Sequence, residues 1–423
     1  MKVLQKIILI VFLTGIVCLS ACKTTEEAAV DEVTPKEIYY DIEAVKVDLS
    51  SSYSAISRQY DPEPFIKLQE EVMAGKVNQT ETIYRLQQIL TDYNILHLSI
   101  NPLRSDAAAE KAPFVFYCYG SSYYVTAADK KYSKYLGWKL TGIGKYSISE
   151  AVNKLGEFVP SETPAGKKYI LNRLIYFEDY FYYGLTDNGK ITFTFELEDG
   201  KTKVIKAKPV TSKNAIFTYI SPKAQTPFTC YYLTKTNYEV IDVPETATLY
   251  LQYMRFIEME NYRLTDLFND ITNKLQSETY STIVIDLRYN TGGRYNPIHQ
   301  TLLAANKEEL EKYNIAIVTT GRTASASCQF INDILSTFPH VKIFGEETGQ
   351  AVFNYTGTWP QVLKKLNCTF EYPTQIDNVP KLVERSTDTS RGIIPDVEVL
   401  EDFASTLNGE DAIYKAIYEY YNK

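Results

Sequence analysis

Apolar residues near the start of the chain recur at the spacing of an α-helix. Within residues 41–110 they fall three or four positions apart, at Ile83, Leu86, Ile89, Leu90 and Tyr93. Side chains at that spacing share one face of a helix, which can then pack against a core. Residues 41–110 are therefore predicted to form an N-terminal helical region.

The next stretch, residues 111–212, shows the two-residue period of β-strands. One run alternates apolar with polar side chains, its apolar members being Ile191, Phe193, Phe195 and Leu197. Asp199 and Gly200 follow it as a hairpin turn, and Ser147 with Glu150 forms a capping box before a short helix. This order of elements resembles a PDZ domain, which binds peptides along a sheet edge, although any small β domain fits it equally well.

Strands and helices alternate from about residue 213 to the end. Four apolar runs have the length of buried strands: Thr248–Tyr253, Thr282–Asp286, Ile315–Thr319 and Val341–Phe344. Helical periodicity appears between them, for example at Leu267, Phe268, Ile271 and Leu275. Such alternation is typical of an α/β layer. The predicted fold class is therefore α/β, in a multidomain chain whose largest domain spans residues 213–423.

The N-terminus has the pattern of an export signal. Two lysines precede an apolar run over residues 7–17, and Leu-Ser-Ala-Cys follows at residues 19–22. The run is shorter than the roughly 20 residues of a membrane-spanning helix. Leu-Ser-Ala-Cys resembles a bacterial lipobox, in which the cysteine receives a lipid; the alternative is an ordinary signal peptide with a chance cysteine. We expect a signal peptide at 1–21, a lipidated Cys22, a flexible tether at 22–40 and a location in the cell envelope of a bacterium.

Charge and cysteine content narrow the possible partners. The formal net charge is −8 and no basic cluster stands out, which argues against nucleic acid as a partner. Beyond the N-terminal segment the cysteines are widely spaced, at Cys118, Cys230, Cys328 and Cys368, without a CxxC or Cys/His pattern. The sequence therefore predicts neither a metal site nor a cofactor.

Two loops carry candidate chemistry, and each follows a predicted buried strand. The first spans residues 286–293 and ends in Gly292 and Gly293, which allow a close approach of main chain to a ligand. The second spans residues 321–328 and places Ser325 at a helix N-terminus, where free N–H groups and the helix dipole favour negative charge. Plain capping by serine and an ordinary glycine turn are the simpler alternatives.

Four short segments, in this order, resemble the tail-specific (C-terminal processing) serine proteases of peptidase family S41. They are DLRYNTGG at 286–293, TASAS at 323–327, Gly-Glu-Glu-Thr at 345–348 and Gly-Ile-Ile-Pro-Asp at 392–396. The resemblance implies an S41-type α/β catalytic core at 213–423. It also implies a serine-type endopeptidase that cleaves exported polypeptides without a cofactor.

The resemblance assigns roles to individual residues. The nucleophile falls on Ser325, and the oxyanion donors fall on the N–H groups of Gly292, Gly293 and Ala326. One branch of the family uses a lysine base 25 residues after the nucleophile, but Gln350 stands there. The other, tricorn-like branch uses a histidine near the end of the N-terminal helical region.

His97 is the histidine at that place, and it implies the tricorn-like branch. The resemblance also implies a carboxylate that orients this histidine, just before the Gly-Ile-Ile-Pro-Asp segment. Asp388 is the candidate nearest to that segment, and Glu384 is the second. An ordinary histidine titrates near pH 6.5, so activity is expected to fall between about pH 7 and 6. The same fold also serves relatives that bind retinoids, so the alternative function is a non-catalytic lipoprotein that binds peptides or apolar ligands.

Overall fold

The computed structural model describes residues 33–51, 54–104, 109–197, 199–221, 223, 226, 228, 236–277, 279–377, 379–385, 388 and 390–423. The predicted signal peptide and Cys22 lie outside them. The first helix begins at Pro35, inside the range 22–40 predicted as a tether. Among the described residues no helix combines the length and apolarity that a membrane crossing requires.

The helices fall into an N-terminal group, a group within the β-rich region and a group in the C-terminal half. The α-helices are α1 (Pro35–Ser51), α2 (Ser54–Gln59), α3 (Glu63–Met73), α4 (Gln79–Thr91), α5 (Ile148–Leu155), α6 (Pro164–Lys168), α7 (Phe177–Tyr182), α8 (Leu264–Ser277), α9 (Ile298–Ala305), α10 (Lys307–Leu310), α11 (Ala326–Thr337), α12 (Pro380–Arg385), α13 (Phe403–Leu407) and α14 (Ala412–Tyr421). Short 3-10 helices cover Lys130–Tyr135, Ile170–Arg173, Ser212–Asn214 and Pro244–Thr246.

The strands are concentrated after the N-terminal helices. They are β1 (Ser99–Pro102), β2 (Glu110–Lys111), β3 (Phe114–Tyr119), β4 (Ser122–Asp129), β5 (Lys139–Ile143), β6 (Tyr146–Ser147), β7 (Thr186–Asp187), β8 (Lys190–Glu196), β9 (Thr202–Ala207), β10 (Val210–Thr211), β11 (Phe217–Tyr219), β12 (Tyr238–Val243), β13 (Thr248–Tyr253), β14 (Thr282–Asp286), β15 (Asn314–Thr319), β16 (Lys342–Gly345), β17 (Tyr355–Leu363), β18 (Cys368–Ile376) and β19 (Val397–Glu398).

The N-terminal helices share a core with strands from a distant part of the chain. The apolar faces of α1 to α4 pack against β1 and the hairpin β17–β18. Strand β1 pairs antiparallel with β18, with Ile100 opposite Phe370. This hairpin lies within residues 213–423, the range predicted as the catalytic domain, so the helical region is completed by residues much later in sequence.

The β-rich region is a sheet around an aromatic core. Its main strand order is β11-β4-β5-β8-β7, with β3, β6 and β9 paired at its sides. The predicted capping box is present, because Ser147 accepts from the Glu150 N–H while the Glu150 carboxylate accepts from the Ser147 N–H. The predicted hairpin joins β8 to β9, and Gly200 has a φ of +76° in its turn.

The C-terminal half contains a six-stranded sheet in the order β12-β13-β14-β15-β16-β19. Strand β12 is antiparallel to β13, and the remaining pairs are parallel. Helices α8, α9 and α11 cover one face, and α14 covers the other. This arrangement confirms the predicted α/β class. Because β14 and β15 are parallel neighbours, the two candidate loops that follow them lie at the same sheet edge.

A junction of three glycines joins the β-rich region to that edge. A Cβ at Gly321 would collide with the carbonyl of Ala165, and one at Gly349 would collide with the carbonyl of Gly321. A Cβ at Gly166 would lie 2.8 Å from the Gly349 carbonyl oxygen. The absence of side chains at these positions lets α6 pack directly on the candidate site.

Candidate active site

Ser325 occupies a sharp turn between β15 and α11. Its φ of 57° and ψ of −124° are unusual for a residue with a side chain. Ser325 is only 8% exposed, and among the described residues its main-chain N–H bonds to Gln350 while its hydroxyl forms no hydrogen bond. A strained turn that leaves a hydroxyl unbonded at a helix N-terminus fits a nucleophile better than a cap.

Ser327, two residues later, is bound differently. Its Oγ donates to the main-chain oxygen of Asn290 at 3.0 Å, and the residue is fully buried. The structure therefore separates the two serines of this loop. Ser327 has a structural hydrogen bond, whereas Ser325 retains a free hydroxyl.

Asn290 holds the two loops together. Its side-chain amide donates to the Tyr253 carbonyl at 2.9 Å, and its Oδ1 accepts from the Gly292 N–H at 2.9 Å. Its own carbonyl accepts from the Ala324 N–H at 3.2 Å and from Ser327. The Asn290 side chain thus holds the glycine loop, and the Asn290 main-chain carbonyl holds the residues on either side of Ser325.

The three predicted oxyanion donors lie in the two loops that meet at Ser325, and they differ in availability. The Gly292 N–H is engaged by Asn290. The Gly293 N–H has no acceptor among the described residues, and Ala326 is the first residue of α11, whose N–H has no intrahelical acceptor. Gly293 and Ala326 are therefore the two donors free to stabilise an oxyanion.

Gly292 allows the closest approach between the loops, which makes it a sensitive position. It has a φ of +104°, and a Cβ there would lie 2.6 Å from the Ser325 Cβ. Gly292→Ala is expected to displace Ser325, to lower catalytic rate by about 100-fold or more, and to cost about 1–3 kcal/mol of folding stability. Hydrolysis rates and thermal unfolding of the variant measure both effects.

Gly189→Ala is the matched control. Gly189 also has a positive φ, +67°, but open space surrounds its Cβ position. It should lose only the stability associated with backbone strain and keep its activity. Full activity of Gly292→Ala would show that the two loops do not depend on this close approach.

Gln350, the residue at the position where the sequence resemblance would place a lysine, contacts the loop of Ser325. Its Oε1 accepts the main-chain N–H of Ser325, although the two residues are 25 positions apart. Its Nε2 is buried and has no partner among the described residues. An amide cannot act as a base, so this side chain positions the Ser325 main chain.

His97 lines a cavity of about 420 Å³ beside the two loops. Thr291 and Ala324, the residues immediately before Gly292 and Ser325, line the same cavity. The Nε2 of His97 is buried without a partner among the described residues, and no hydrogen bond joins it to Ser325. Burial and, second, the positive charge of Arg173 lower the pKa of His97 to about 4.

The structure does not bring Asp388 to His97. Asp388 is exposed, and its carboxylate accepts from the N–H and hydroxyl of Ser390 at 3.0 and 2.5 Å. Those bonds lower the pKa of Asp388. Glu384, the second candidate, is also exposed and pairs with Lys381. The prediction of both carboxylates rests on sequence spacing alone, and these contacts are with Ser390 and Lys381, not with His97.

A different carboxylate, Glu162, lies next to the candidate base. It accepts the Leu96 N–H at 2.8 Å through one oxygen and the Ala351 N–H at 3.0 Å through the other. It therefore ties the residue before His97 to the residue after Gln350. Burial raises the pKa of Glu162 to about 7, against the lowering effect of its two main-chain hydrogen bonds. No sequence motif identified this residue.

The Arg288 of the first motif is a structural residue. It is fully buried and forms ion pairs with Asp286 at 2.9 Å, Glu401 at 3.2 Å and Asp411 at 2.6 Å. Removing one partner of such a buried network typically costs about 3–5 kcal/mol. The arginine thus anchors the start of the glycine loop to the C-terminal segment.

The last two motifs bind each other. Arg391 pairs with Glu347 through two hydrogen bonds of 2.8 and 2.7 Å, and Glu347 also accepts the Gly392 N–H. Thr348 accepts the Ile393 N–H at 2.8 Å. These contacts fix the segment that carries Gln350. Among the described residues, no three potential metal ligands are grouped closely enough to hold an ion.

Comparison with known proteins identifies the fold. No family model and no curated protein sequence matches the chain. Among solved structures, mature CPAF matches with a TM-score of 0.63 and 11% identity, over 93% of this chain and 97% of that chain. Mature CPAF complexed with lactacystin matches with a TM-score of 0.62 and 10% identity, over 92% and 98%.

A more distant match is the photosystem II D1 C-terminal processing protease, with a TM-score of 0.42 and 12% identity, over 89% of this chain and 98% of that chain. CPAF is a peptidase of family S41. At 10–11% identity its similarity establishes architecture and not activity. Over nearly its whole length, the chain has the fold of the S41 peptidases.

Proposed function

We propose that the protein is a serine-type endopeptidase of the His-dependent, tricorn-like kind, acting on exported or extracellular polypeptides. The observation that supports this most strongly is the Ser325 hydroxyl. It is unbonded, lies in a strained turn, and is close to two free N–H donors and to a cavity lined by His97. Its fold neighbours are peptidases, which agrees with this reading.

The chemistry divides among the chain's own residues. Ser325 Oγ attacks the peptide carbonyl carbon as its proton passes to the unpartnered Nε2 of His97. The oxygen of the tetrahedral intermediate accepts from Gly293 and Ala326. His97 then gives the proton to the amine as the C–N bond breaks. The product of this step is an ester between the peptide acyl group and Ser325. Water attacks that ester as His97 takes its proton, and His97 returns the proton to Ser325 Oγ as the ester bond breaks.

A fluorophosphonate probe tests the proposal, because it reacts covalently with an activated serine. We expect the full-length protein to be labelled, to hydrolyse casein, and to lose both properties on Ser325→Ala. The missing His97–Ser325 bond favours the alternative of a non-catalytic binding protein. In free enzymes, however, such bonds are often long and tighten only with substrate. An unlabelled, inactive wild type would establish the alternative.

We also propose that Cys22 carries a lipid that anchors the protein in a bacterial cell envelope. The support is the sequence Leu-Ser-Ala-Cys after the apolar run, followed by a polar stretch that can serve as a tether. The β-rich region at 111–212 would then present polypeptides to the site in the manner of a PDZ domain.

Cys22→Ala is expected to abolish fatty-acid incorporation and to release the protein from membranes into the soluble fraction. Cys18→Ala is the matched control, because it removes a cysteine from the same segment outside the lipobox. Metabolic labelling with a fatty-acid analogue and fractionation measure the result. Membrane retention of the Cys22→Ala protein would contradict the anchor.

A further inference from the structure

The cavity beside Ser325 carries an excess of positive charge. Two arginines line it, Arg173 from the β-rich region and Arg322 from the nucleophile loop. Arg173 ends the 3-10 helix Ile170–Arg173 at the wall of the cavity, and Arg322 is half-buried. The protein as a whole is acidic, with a formal net charge of −8, so this local excess is opposite in sign to the average surface.

Neither guanidinium forms a salt bridge with a carboxylate in the described part of the chain, and the Glu162 carboxylate attracts Arg173 only at longer range. Arg104 and Arg288, by contrast, form ion pairs with carboxylates. Within the described part of the chain, Arg173 and Arg322 form none, and Arg322 is instead stacked 5.3 Å from the ring centre of Tyr289. Burial and then repulsion from Arg322 lower the pKa of Arg173, against the opposing attraction of Glu162. Burial and then the charge of Arg173 lower the pKa of His97.

Polar atoms around the same cavity are also unsatisfied. Asn172 Oδ1 and His97 Nε2 are buried without hydrogen-bond partners among the described residues, and both residues line the cavity. A buried acceptor or donor without a partner is unfavourable unless a ligand or water completes it. The cavity thus offers two cations without salt-bridge partners among the described residues, together with open hydrogen-bonding positions.

We propose that this cavity is a substrate subsite in which Arg173 and Arg322 bind the side-chain carboxylate of an aspartate or glutamate near the scissile bond. Guanidinium groups match carboxylates in charge and geometry, and an incoming carboxylate would relieve the repulsion between the two cations. The peptidase would therefore select acidic segments of polypeptides. The inference rests on the proposed function only in taking the ligand to be a polypeptide.

Binding is measured first, on the Ser325→Ala protein, so that the readout does not depend on catalysis. The probes are fluorescein-labelled decapeptides, N-acetylated and C-amidated, in which a single Glu or Gln is moved along a neutral sequence. At the favoured position we expect the Glu peptide to bind at least about tenfold more tightly than its Gln counterpart. Equal affinity at every position would overturn the subsite.

Substitutions then assign the selectivity to the two arginines. In the Arg173→Gln/Arg322→Gln double variant the Glu-to-Gln affinity ratio should fall to about one, and in the Arg173→Lys/Arg322→Lys double variant it should be intermediate. Arg58→Gln, a change at an exposed arginine of α2, should keep the full ratio. A Glu-to-Gln ratio that persists in the Gln double variant would overturn the assignment. If the Gln double variant does not fold, an unchanged ratio in the Lys double variant would overturn it instead.

A third set of neutral peptides with a free C-terminus separates the two sources of carboxylate. Tight binding that requires the free terminus and disappears in the double variant would overturn the side-chain assignment. Hydrolysis of the same peptides by wild type tests the proposed function independently. Selective binding without hydrolysis or probe labelling would contradict the peptidase proposal and support the subsite. Hydrolysis without selectivity for Glu would support the peptidase proposal and contradict the subsite.

Discussion

Ser325→Ala is expected to reduce peptide hydrolysis by about 10⁴- to 10⁶-fold and to abolish labelling by a fluorophosphonate probe. Catalytic triads lose activity on this scale when the nucleophile is removed, because the remaining groups then act on water alone. The Ser325 hydroxyl has no hydrogen-bond partner among the described residues, so its removal leaves no buried group unsatisfied. Folding stability should therefore change by less than about 0.5 kcal/mol.

Two further substitutions isolate the nucleophile from its surroundings. Ser327→Ala removes the 3.0 Å bond to the Asn290 carbonyl and should cost about 1 kcal/mol of stability, yet it should retain probe labelling. Ser325→Gly should be as inactive as Ser325→Ala but more stable than it, because glycine relieves the strain at a φ of 57°. Probe labelling on Ser327 in place of Ser325 would reverse the assignment.

Local sequence patterns predicted many of the elements because the information for them is local. Ile83, Leu86, Ile89 and Leu90 of the predicted apolar face lie on α4, whereas Tyr93 follows the end of that helix. The capping box and the β8–β9 hairpin are both present. The hairpin β17–β18 was not foreseen as part of the helical core. Strand β18 of this hairpin pairs with β1, which is more than 260 residues away in sequence. The residue pattern within a strand does not show which distant strand it pairs with.

For the candidate site, too, the residues that depend on local sequence are predicted and those that depend on distant packing are not. Ser325, Gly292, Gly293 and Ala326 lie in two loops whose residues determine their own turns, and the loops follow adjacent parallel strands. Glu162 and Arg173 lie at the site because the β-rich region packs against it at the glycine junction. No short sequence motif predicts that packing. The prediction of Asp388 depends on its distance from Gly392 along the chain, and such a distance does not determine where the side chain lies.

The pH dependence of catalysis should reflect the environment of His97. A base must be neutral to accept the Ser325 proton, so activity is lost as pH falls through the pKa of the base. An ordinary histidine would lose activity between about pH 7 and 6. Burial, followed by the charge of Arg173, lowers the pKa of His97 to about 4, which disfavours the imidazolium. For neutral peptides, kcat/KM should therefore remain high below pH 6 and fall only near pH 4.

Substitutions at and around His97 test whether titration of His97 determines the dependence of kcat/KM on pH. His97→Ala should lose about 10⁴-fold or more in kcat/KM, whereas His340→Ala, at an exposed histidine, should not. Arg173→Gln removes the neighbouring charge and should move the acid limb upward, toward but not as far as pH 6.5, because burial remains. Glu162, whose pKa is about 7, titrates nearby, so Glu162→Gln is needed to separate its contribution to the profile. An acid limb that does not move in Arg173→Gln and persists in His97→Ala would show that His97 is a buried structural residue and that another group is the base.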